Sequence, residues 1–571
     1  MLRRLVFACL FVVSPALAQE SAPIIAYAPR ALPVQARNAM VVAQEGQAAR
    51  IGLDVLKRGG NAVDAAVATA FALAVTLPRA GNLGGGGFML IHDAGAKRTI
   101  ALDFRETAPA ATTRDVFLTA DGRADPGKSR GSGLGVGTPG TVAGLLHALA
   151  TYGSGKFDRA TLIAPAAALA RDGLIVGDDL ADSLPMAAAR LGRFAASAKI
   201  FMPQGAPLRE GERLVQTDLA ATLEAIARDG ARGFYDGAVA EKLVAAVRGA
   251  GGRMTLDDLR RYRVVEREPL RGVYRGRDIV AMPPPSAGGV HLVQILNTLE
   301  GFPLAASGQN AAETIHLMAE AMKLAYADRA RFLGDPDHVK APVAGLVSKT
   351  YAARLRDFID PARARPAVEI DKLDLAPRES DQTTHFSVVD ASGNAVALTT
   401  TLNFSYGLGL VAEGTGVLLN NELDDFAAAP GAANAYGLTG GEANAPGPER
   451  RPLSSMTPTF VFKDGALELV TGSPGGSRII TIVLQLVSNI VDHGLNIAEA
   501  SLAPRVHHQW LPDELQVERG LSPDTIRLLE AKGHKVVVRN AFGSAQSIAR
   551  VGDVWQGASD TRQRGGAAVG Y

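Results

Sequence analysis

The pentapeptide Asp381-Gln382-Thr383-Thr384-His385 joins two segments of opposite character. Residues 353–382 are charged and carry several prolines, which predicts an exposed connector. Residues 383–390 alternate apolar and polar side chains and are followed by a turn and by the strand-like residues 395–402, which predicts a β-hairpin. A hydroxyl residue, Thr383, therefore stands at the first position of a predicted strand, directly after an exposed segment.

This position gives Thr383 a possible chemical role. If the chain is cut before Thr383, the residue gains a free α-amine, and the usual pKa of such an amine, roughly 7.7–8.0, makes it an available base near neutral pH. One residue then supplies both the nucleophilic hydroxyl and its base. On the local sequence alone, the plain alternative is favoured, in which Thr383 and Thr384 are ordinary strand-forming residues.

The composition is that of a globular protein. The chain has 571 residues, of which 47% are hydrophobic and 20% charged, enough to bury a large core. The formal net charge is +1, so no strong field attracts nucleic acid or acidic membranes. We expect neither as a partner.

The first 18 residues have the three parts of a secretory signal peptide. Met1-Leu2-Arg3-Arg4 is basic, residues 5–13 are mostly apolar, and residues 14–18 end in Ala-Leu-Ala. We expect cleavage after Ala18 and a periplasmic or secreted product without a membrane anchor. A buried N-terminal helix and a lipid anchor on Cys9 are the alternatives. Cys9 is the single cysteine, so the mature chain would have none, which suits an oxidising compartment.

Helices and strands are predicted in both halves of the chain. The helical segments share apolar periodicity, and the strand segments share alternation: helices at 44–57, 62–77, 141–170, about 288–299 and 477–491, and strands at 88–92, 99–104, 383–390, 395–402, 457–462 and 467–471. Asn61 is predicted to cap the helix over 62–77. Helices that flank β-rich stretches predict stacked sheets covered by helices.

Two glycine-rich loops are candidates for a site. Residues 81–88 lack the Lys-Ser/Thr pair of a phosphate loop, so we interpret them as close backbone packing near a site. Residues 471–477 lead from a strand into a helix, where backbone N–H groups can stabilise an oxyanion. A plain tight turn explains the second loop equally well.

Two polar clusters remain. Residues 420–426 place acids directly after an apolar run, where they could hold an amine or a metal or could simply be a solvated strand end. His507 and His508 are followed by Asp513 and Glu514, but adjacent histidines on one segment point apart, which argues against a metal site.

Taken together, several segments carry a family resemblance. They share their order along the chain: residues 81–88, 103–106, 137–141, 283–289, 382–385, 418–426, 451–456 and 472–477. With these segments the sequence closely resembles the bacterial γ-glutamyltranspeptidases, also called glutathione hydrolases, across residues 35–571.

The resemblance implies the fold and the maturation of the chain. The expected fold class is α+β, an N-terminal-nucleophile hydrolase with two stacked β-sheets between helical layers. The expected parts are the signal peptide 1–18, a large subunit 19–382 and a small catalytic subunit 383–571, which form one intertwined heterodimer. The cut would fall between Gln382 and Thr383.

The resemblance also implies the roles of individual residues and the substrates. Thr383 would attack the γ-glutamyl carbonyl of glutathione or a similar compound, and water or an amino acid or dipeptide acceptor would release the glutamyl group. The implied site consists of the nucleophile Thr383, its partner Thr401, the oxyanion pair Gly475 and Gly476, and the substrate-binding residues Arg105, Asn403, Glu422, Asp425, Ser454, Ser455 and the lid residue Tyr436. Residues 427–449 would form a mobile lid. No metal or organic cofactor is implied.

Two rival functions stay open. An acylase with an N-terminal nucleophile, acting on glutaryl or cephalosporin side chains, would use Thr383 but would have no α-ammonium to bind, and Asp425 argues against it. A non-catalytic periplasmic binding protein would keep the fold and would remain a single uncut chain.

Overall fold

The structure is a computed structural model that describes residues 31–370, 383–435, 437–541 and 543–571. The predicted signal peptide, Gln382 and the lid residue Tyr436 lie outside the described residues. Within them the helices are α1 Gly46–Lys57, α2 Ala62–Thr76, α3 Pro126–Gly131, α4 Thr141–Tyr152, α5 Arg159–Asp172, α6 Asp178–Leu191, α7 Ala195–Phe201, α8 Thr217–Asp229, α9 Arg232–Tyr235, α10 Gly237–Gly249, α11 Leu256–Arg261, α12 Gly288–Leu299, α13 Leu304–Ser307, α14 Ala312–Phe332, α15 Val343–Leu346, α16 Lys349–Arg356, α17 Ile479–Val491, α18 Ile497–Leu502 and α19 Pro523–Ala531. In the described ranges, no helix combines the length and apolar character needed to cross a bilayer.

The strands are short and mostly antiparallel. They are β1 Val34–Ala36, β2 Met40–Ala43, β3 Gly86–Asp93, β4 Arg98–Phe104, β5 Leu174–Ile175, β6 Arg213–Leu214, β7 Val265–Arg267, β8 Leu270–Tyr274, β9 Arg277–Ala281, β10 Thr384–Val389, β11 Ala395–Thr401, β12 Val411–Ala412, β13 Val417–Leu418, β14 Thr459–Lys463, β15 Ala466–Thr471, β16 Val506–His507, β17 Leu515–Glu518, β18 Val536–Arg539, β19 Gln546–Val551, β20 Val554–Ser559 and β21 Ala567–Gly570.

Most strands belong to two large sheets. In the described part of the chain, one seven-stranded sheet has the order β21-β2-β10-β11-β3-β4-β7, and the other has the order β1-β20-β19-β15-β14-β9-β8. All pairs within these two sheets are antiparallel. The predicted hairpin β10–β11 lies in the middle of the first sheet, so its residues have neighbours on both sides.

The two sheets stack face to face between helices. Strand β2 of the first sheet contacts β19 and β20 of the second sheet, and strand β10 contacts β15 and β19. Helices α1, α2 and α4 cover the outer face of the first sheet, and α12 and α18 contact the second sheet. This four-layer arrangement confirms the predicted αββα sandwich of the α+β class.

Both faces of the central strands are buried, which explains their apolar sequences. Along β3, Met89 and Ile91 belong to the core shared with α1 and α2, whereas Phe88 and Leu90 belong to the core on the other side of the sheet. Because successive side chains of a strand point to opposite faces, each side chain meets a different layer.

The predicted helix over 141–170 is wrong, because the chain breaks there into α4 and α5. Helix α4 ends at Tyr152 with Gly153 as its C-cap, and Gly155 then adopts φ 75°, a left-handed conformation that favours glycine. Asp158 then caps α5, since its side chain accepts a hydrogen bond from the Thr161 N–H. The predicted Asn61 cap of α2 is confirmed, because its side chain accepts from the N–H groups of Val63 and Asp64.

The connector before Thr383 is only partly exposed. Most of residues 357–370 are accessible, but Ile359, Ala364 and Ala367 are buried. The Ala364 N–H donates to the Lys532 carbonyl at 2.7 Å, and Trp510 Nε1 donates to the Ala367 carbonyl at 3.1 Å. The connector is therefore anchored on the C-terminal part of the chain before it reaches residues 371–382, which are outside the described residues.

Candidate active site

Thr383 lies at the end of the central hairpin. Its neighbour Thr384 pairs with Thr400 across β10 and β11, and β11 pairs in turn with the glycine-rich start of β3. Thr383 is 4% exposed and borders a small cavity. The rigid sheet thus holds the proposed nucleophile at a fixed place on the cavity wall.

The cavity brings together most of the residues that the sequence predicts for the site. Its wall consists of Arg105, Arg329, Thr383, Thr401, Glu422, Asp425, Leu438, Ser454, Ser455, Met456, Gly476, Ser477 and Ile479. No Lys, His or Cys is among these lining residues. The candidate bases on this cavity wall are therefore the carboxylates of Glu422 and Asp425 and the amine of Thr383 itself.

Arg105 is the cation at the centre of the predicted binding residues. It follows β4 directly and is 1% exposed. Its Nη1 donates to Glu422 Oε1, and its Nη2 donates to Asp425 Oδ2 at 2.6 Å. Burial lowers the pKa of Arg105, but the two carboxylates outweigh burial and leave this pKa above its usual value.

The acidic segment after β13 is buried, so the solvated strand end is the wrong interpretation of it. Glu422 is 1% exposed, and burial raises its pKa well above the usual range despite the nearby Arg105. Burial also raises the pKa of Asp425, whose Oδ1 accepts from Asn434 Nδ2 at 3.0 Å. The carboxylates of Glu422 and Asp425 therefore contact Arg105 and are largely shielded from water.

Asp424, between these two acids, has a different environment. Its Oδ1 accepts from Ser129 Oγ at 2.5 Å and from Arg130 Nε at 3.1 Å. Its Oδ2 accepts from the Ala435 N–H at 3.0 Å. Asp424 therefore ties the acidic segment to α3 and to the segment around Ala435, and it does not line the cavity.

The predicted serine pair, Ser454 and Ser455, also lines the cavity. The Ser454 N–H donates to the Pro285 carbonyl, and the Ser454 carbonyl accepts from the Ala287 N–H, both at 2.8 Å. The Ser455 Oγ accepts from Arg329 Nη2 at 3.3 Å. The rigid proline loop before α12 thus fixes Ser454, while a helix residue, Arg329, contacts Ser455.

The predicted oxyanion pair lies where a short 3-10 turn, Gly476–Arg478, enters α17. Gly475 and Gly476 adopt φ 138° and 53°, values that favour glycine. Gly476 lines the cavity, and the first N–H groups of a helix have no partner within it. The arrangement suits a role in binding an oxyanion, which stays a prediction.

Asn403 hydrogen-bonds to two segments that carry cavity-lining residues. Its N–H donates to Thr401 Oγ1 at 2.8 Å, and its Nδ2 donates to the Asn421 carbonyl at 2.9 Å. Asn403 is buried but is not among the residues that line the cavity. It links the strand that carries Thr401 to the segment that carries Glu422.

The first glycine loop is confirmed as a close-packing element. A Cβ on Gly85 would lie 2.1 Å from the Thr401 carbonyl oxygen, so no larger residue fits. Asn82 accepts from the Gly85 N–H and donates to the Thr401 carbonyl, each at 2.9 Å. The loop therefore holds Thr401 in place.

His385, the third residue of the Thr-Thr-His motif, is a packing residue. Its Nδ1 lies 2.8 Å from Thr399 Oγ1, and a Cβ on Gly472 would lie 2.4 Å from its ring. Burial lowers the pKa of His385 to about 3, so the ring is neutral at ordinary pH. His385 spaces the two sheets and does not line the cavity.

The predicted lid segment, residues 427–449, lies next to the cavity. Leu438 lines it, Asn434 hydrogen-bonds Asp425, and the Gly441 N–H donates to the Ala330 carbonyl at 2.8 Å. The mobility of this segment and the role of Tyr436 stay predictions.

A second cavity also borders the nucleophile. Its wall consists of Arg79, Asp179, Asp182, Ser183, Met186, Thr383, Pro474, Gly475, Ala541, Gly543, Arg562, Gln563 and Arg564. Thr383 is the residue shared by the two cavities. A bond attacked by Thr383 could therefore have one part in each cavity.

Two polar residues near the site were missed from the sequence. Glu106 is fully buried, neither carboxyl oxygen has a hydrogen-bond partner among the described residues, and burial raises its pKa to about 7. Arg329 lies in α14, beside other charged positions such as Arg331. Glu106 follows the predicted Arg105, which was a usable signal, whereas nothing in the sequence distinguishes Arg329 from Arg331.

Metal-binding groups are found away from the cavity. Within the described residues, His316, Glu320 and His534 lie close enough to hold an ion, and none of them lines the cavity. The His507 ring contacts Thr481 Oγ1 and Gln509 Oε1.

Comparisons with known proteins concern the chain as a whole. A family model described as Gamma-glutamyltranspeptidase matches residues 48–570. The chain is 54% identical over 542 residues to the glutathione hydrolase proenzyme of Escherichia coli strain K12, covering 94% of this chain and 93% of the relative. A cephalosporin acylase from Bacillus halodurans has a similar structure, with a TM-score of 0.83, 28% identity and coverage of 97% and 99%. The gamma-glutamyltranspeptidase of Helicobacter pylori matches 61% of this chain and 97% of its own, with a TM-score of 0.56 and 43% identity.

Proposed function

Because the chain belongs to the gamma-glutamyltranspeptidase family, we propose that it is a self-cleaving γ-glutamyltransferase and glutathione hydrolase. In this proposal Thr383 is first the nucleophile of its own maturation. Its Oγ attacks the carbonyl carbon of Gln382, the peptide C–N bond breaks, and the resulting ester is opened by water. Products of this reaction are a large chain ending at Gln382 and a small chain beginning at Thr383.

The freed amine of Thr383 then serves as the base. It takes the proton of Oγ as this oxygen attacks the γ-glutamyl carbonyl of the substrate. The N–H groups of Gly475 and Gly476 stabilise the negative oxygen of the tetrahedral intermediate. The C–N bond of the substrate breaks, the leaving amine receives the proton, and the glutamyl group stays on Thr383 as an ester.

The acyl-enzyme is released by a second attack. Water gives hydrolysis, and the amine of an amino acid or dipeptide gives transfer of the glutamyl group. The incoming nucleophile replaces the leaving amine, so both would occupy the second cavity, on the side of Thr383 away from Arg105. We propose that the two chains stay together as a heterodimer, because β10 and β11 of the small chain are central strands of a sheet completed by β2, β3, β4 and β7 of the large one.

The observation that carries the substrate assignment is the pairing of Arg105 with Asp425 on the cavity wall. An α-amino acid head group has a carboxylate and an ammonium on one carbon. A guanidinium beside a carboxylate offers complementary charges at that spacing, and the fork of arginine suits a carboxylate. Ser454 and Ser455 would add hydroxyl donors to the carboxylate, and Glu422 would strengthen the site for the ammonium.

An acylase is the second candidate, because the Bacillus halodurans cephalosporin acylase has a similar fold over nearly the whole chain. The two functions are separated by comparing γ-glutamyl-p-nitroanilide with glutaryl-p-nitroanilide, which lacks only the ammonium. We expect a higher kcat/KM for the γ-glutamyl substrate. A preference for the glutaryl substrate would favour the acylase.

The place of action follows from the sequence pattern at residues 1–18. We propose that this segment directs export and is removed, so that the enzyme acts outside the cytoplasm. Detecting the cleaved chain in a periplasmic or culture fraction tests this proposal, and a chain retained in the cytoplasm with residues 1–18 attached would contradict it.

A further inference from the structure

Arg329 is a buried guanidinium on the wall of the active-site cavity. It projects from α14 and is 4% exposed. Its Nη2 donates to Ser455 Oγ at 3.3 Å, and its Nε has no hydrogen-bond partner among the described residues. None of the ion pairs found in the described part of the chain includes Arg329. A buried charge without a counter-ion is costly, so a ligand that supplies one would be bound well.

Arg105 differs from Arg329 in this respect. Both of its Nη atoms already donate to protein carboxylates, those of Glu422 and Asp425. A substrate carboxylate that binds Arg105 must therefore compete with at least one of them. At Arg329 the same carboxylate meets a guanidinium whose side-chain hydrogen bond, within the described residues, goes to the hydroxyl of Ser455.

The pKa values of Arg329 and Arg105 differ in the same way as their contacts. Burial lowers the pKa of Arg329 to about 10, whereas the neighbouring carboxylates hold the pKa of Arg105 above its usual value. Arg329 remains a cation at neutral pH, and it is less fully compensated than Arg105. An anion placed between the two residues would stabilise Arg329 most.

We propose that Arg329 binds the α-carboxylate of the γ-glutamyl group, together with the hydroxyl of Ser455. This inference rests on the proposed function and deepens it: the carboxylate is held between two guanidinium groups, and Arg105 is shared between substrate and the acidic residues. Arg329 therefore contributes to recognition of the substrate carboxylate, and recognition of the ammonium is left to Asp425.

The alternative is that Arg329 only supports Ser455 and α14. A supporting residue would affect all substrates of the enzyme alike. A carboxylate-binding residue would affect only substrates that have the carboxylate. Three p-nitroanilides make this distinction: γ-glutamyl has both groups, glutaryl lacks the ammonium, and 4-aminobutyryl lacks the carboxylate.

The test compares kcat/KM for the three substrates in wild type and in Arg329→Gln. For this variant we expect the ratio of glutaryl to 4-aminobutyryl turnover to fall about 10- to 100-fold, the usual effect of losing a hydrogen bond between charged groups. Arg329→Lys keeps the positive charge but loses the two-pronged guanidinium, so its ratio should lie between those of wild type and Arg329→Gln. The ratio is measured within one preparation, so a partly misfolded sample does not change it.

Arg331→Gln is the matched control, because Arg331 is exposed two positions further along the same helix. It should keep the wild-type ratio. An unchanged ratio in Arg329→Gln, or an equal fall for all three substrates, would overturn the inference. Failure of the proposed function would look different: the wild-type enzyme itself would not turn over γ-glutamyl-p-nitroanilide.

Discussion

The guanidinium of Arg105 and the carboxylate of Asp425 form a buried ion pair, with 2.6 Å between Nη2 and Oδ2. The same guanidinium contacts Glu422, so one cation and two acids are held together on the wall that Thr383 shares. This arrangement supports the proposed binding of a ligand that carries both signs of charge. In the proposed function, this pair is the reason for preferring an amino-acid head group over a simple acid.

Replacing Asp425 with Asn should weaken recognition of the substrate ammonium but not of its carboxylate. The change keeps the shape of the side chain but removes the charge that would face the ammonium. We expect kcat/KM for γ-glutamyl-p-nitroanilide to fall about 10- to 100-fold, the range for a hydrogen bond to a charged group, and kcat/KM for glutaryl-p-nitroanilide to fall much less. Asp424→Asn is the control, because Asp424 contacts Ser129 and Arg130 instead. Equal losses on both substrates would rule out ammonium binding by Asp425.

Replacing Arg105 with Met should cost stability as well as activity. The variant leaves Glu422 and Asp425 buried without their cation, and removal of one partner of a buried pair typically costs about 3–5 kcal/mol. We expect a clear drop in the Tm measured by calorimetry. Arg114→Met removes an exposed partner of Glu442 and should cost only about 0–1 kcal/mol. If both variants had the same Tm, Arg105 would not be compensating buried charge.

Glu106 should make stability depend on pH. Burial raises its pKa from 4.5 to about 7, so between these values the folded chain keeps a proton that the unfolded chain releases. Its contribution is therefore fully present below about pH 4.5 and is lost as the pH rises toward 7. We expect Tm to fall between pH 5 and pH 7.5 in wild type. The corresponding fall should be smaller in Glu106→Gln, because the variant has no carboxyl group to ionise at this position. Parallel Tm profiles of the two proteins would contradict the raised pKa.

The fold could be predicted well from the sequence, because its signals are local and strong. The hairpin at 384–401 and the Asn61 cap are visible as alternation and as a polar residue before an apolar helix. The helix over 141–170 failed because apolar periodicity continues on both sides of the break, and the turn at Gly155 was given too little weight.

The candidate site residues were predicted from motifs that occur in a fixed order along the chain. There is a physical reason why Arg329 was not among them. Arg105 and Asp425 stand in recognisable segments, whereas Arg329 and Arg331 look alike on one helix. Only the packing of α14 against the cavity places one of them inside and the other in water. Contacts that join distant parts of the chain, such as Arg329 with Ser455, leave no trace in either local sequence.

Thr383→Ala should remove cleavage and activity together. Without the hydroxyl, neither the attack on Gln382 nor the attack on a substrate is possible. We expect one chain on a denaturing gel and no release of p-nitroaniline. Thr384→Ala is the control, since Thr384 is buried within β10 and does not line the cavity; it should still be cleaved. Normal cleavage of Thr383→Ala would point to another nucleophile.

The central claim is that Thr383 becomes an N-terminal residue and thereby gains its base. Intact-mass measurement of the purified protein under denaturing conditions tests it most directly, together with N-terminal sequencing of each chain. We expect two chains of roughly 38 and 20 kDa, corresponding to residues 19–382 and 383–571, with the smaller one beginning Thr-Thr-His. A single uncut chain that persists after long incubation, or a smaller chain that begins at another residue, would contradict it.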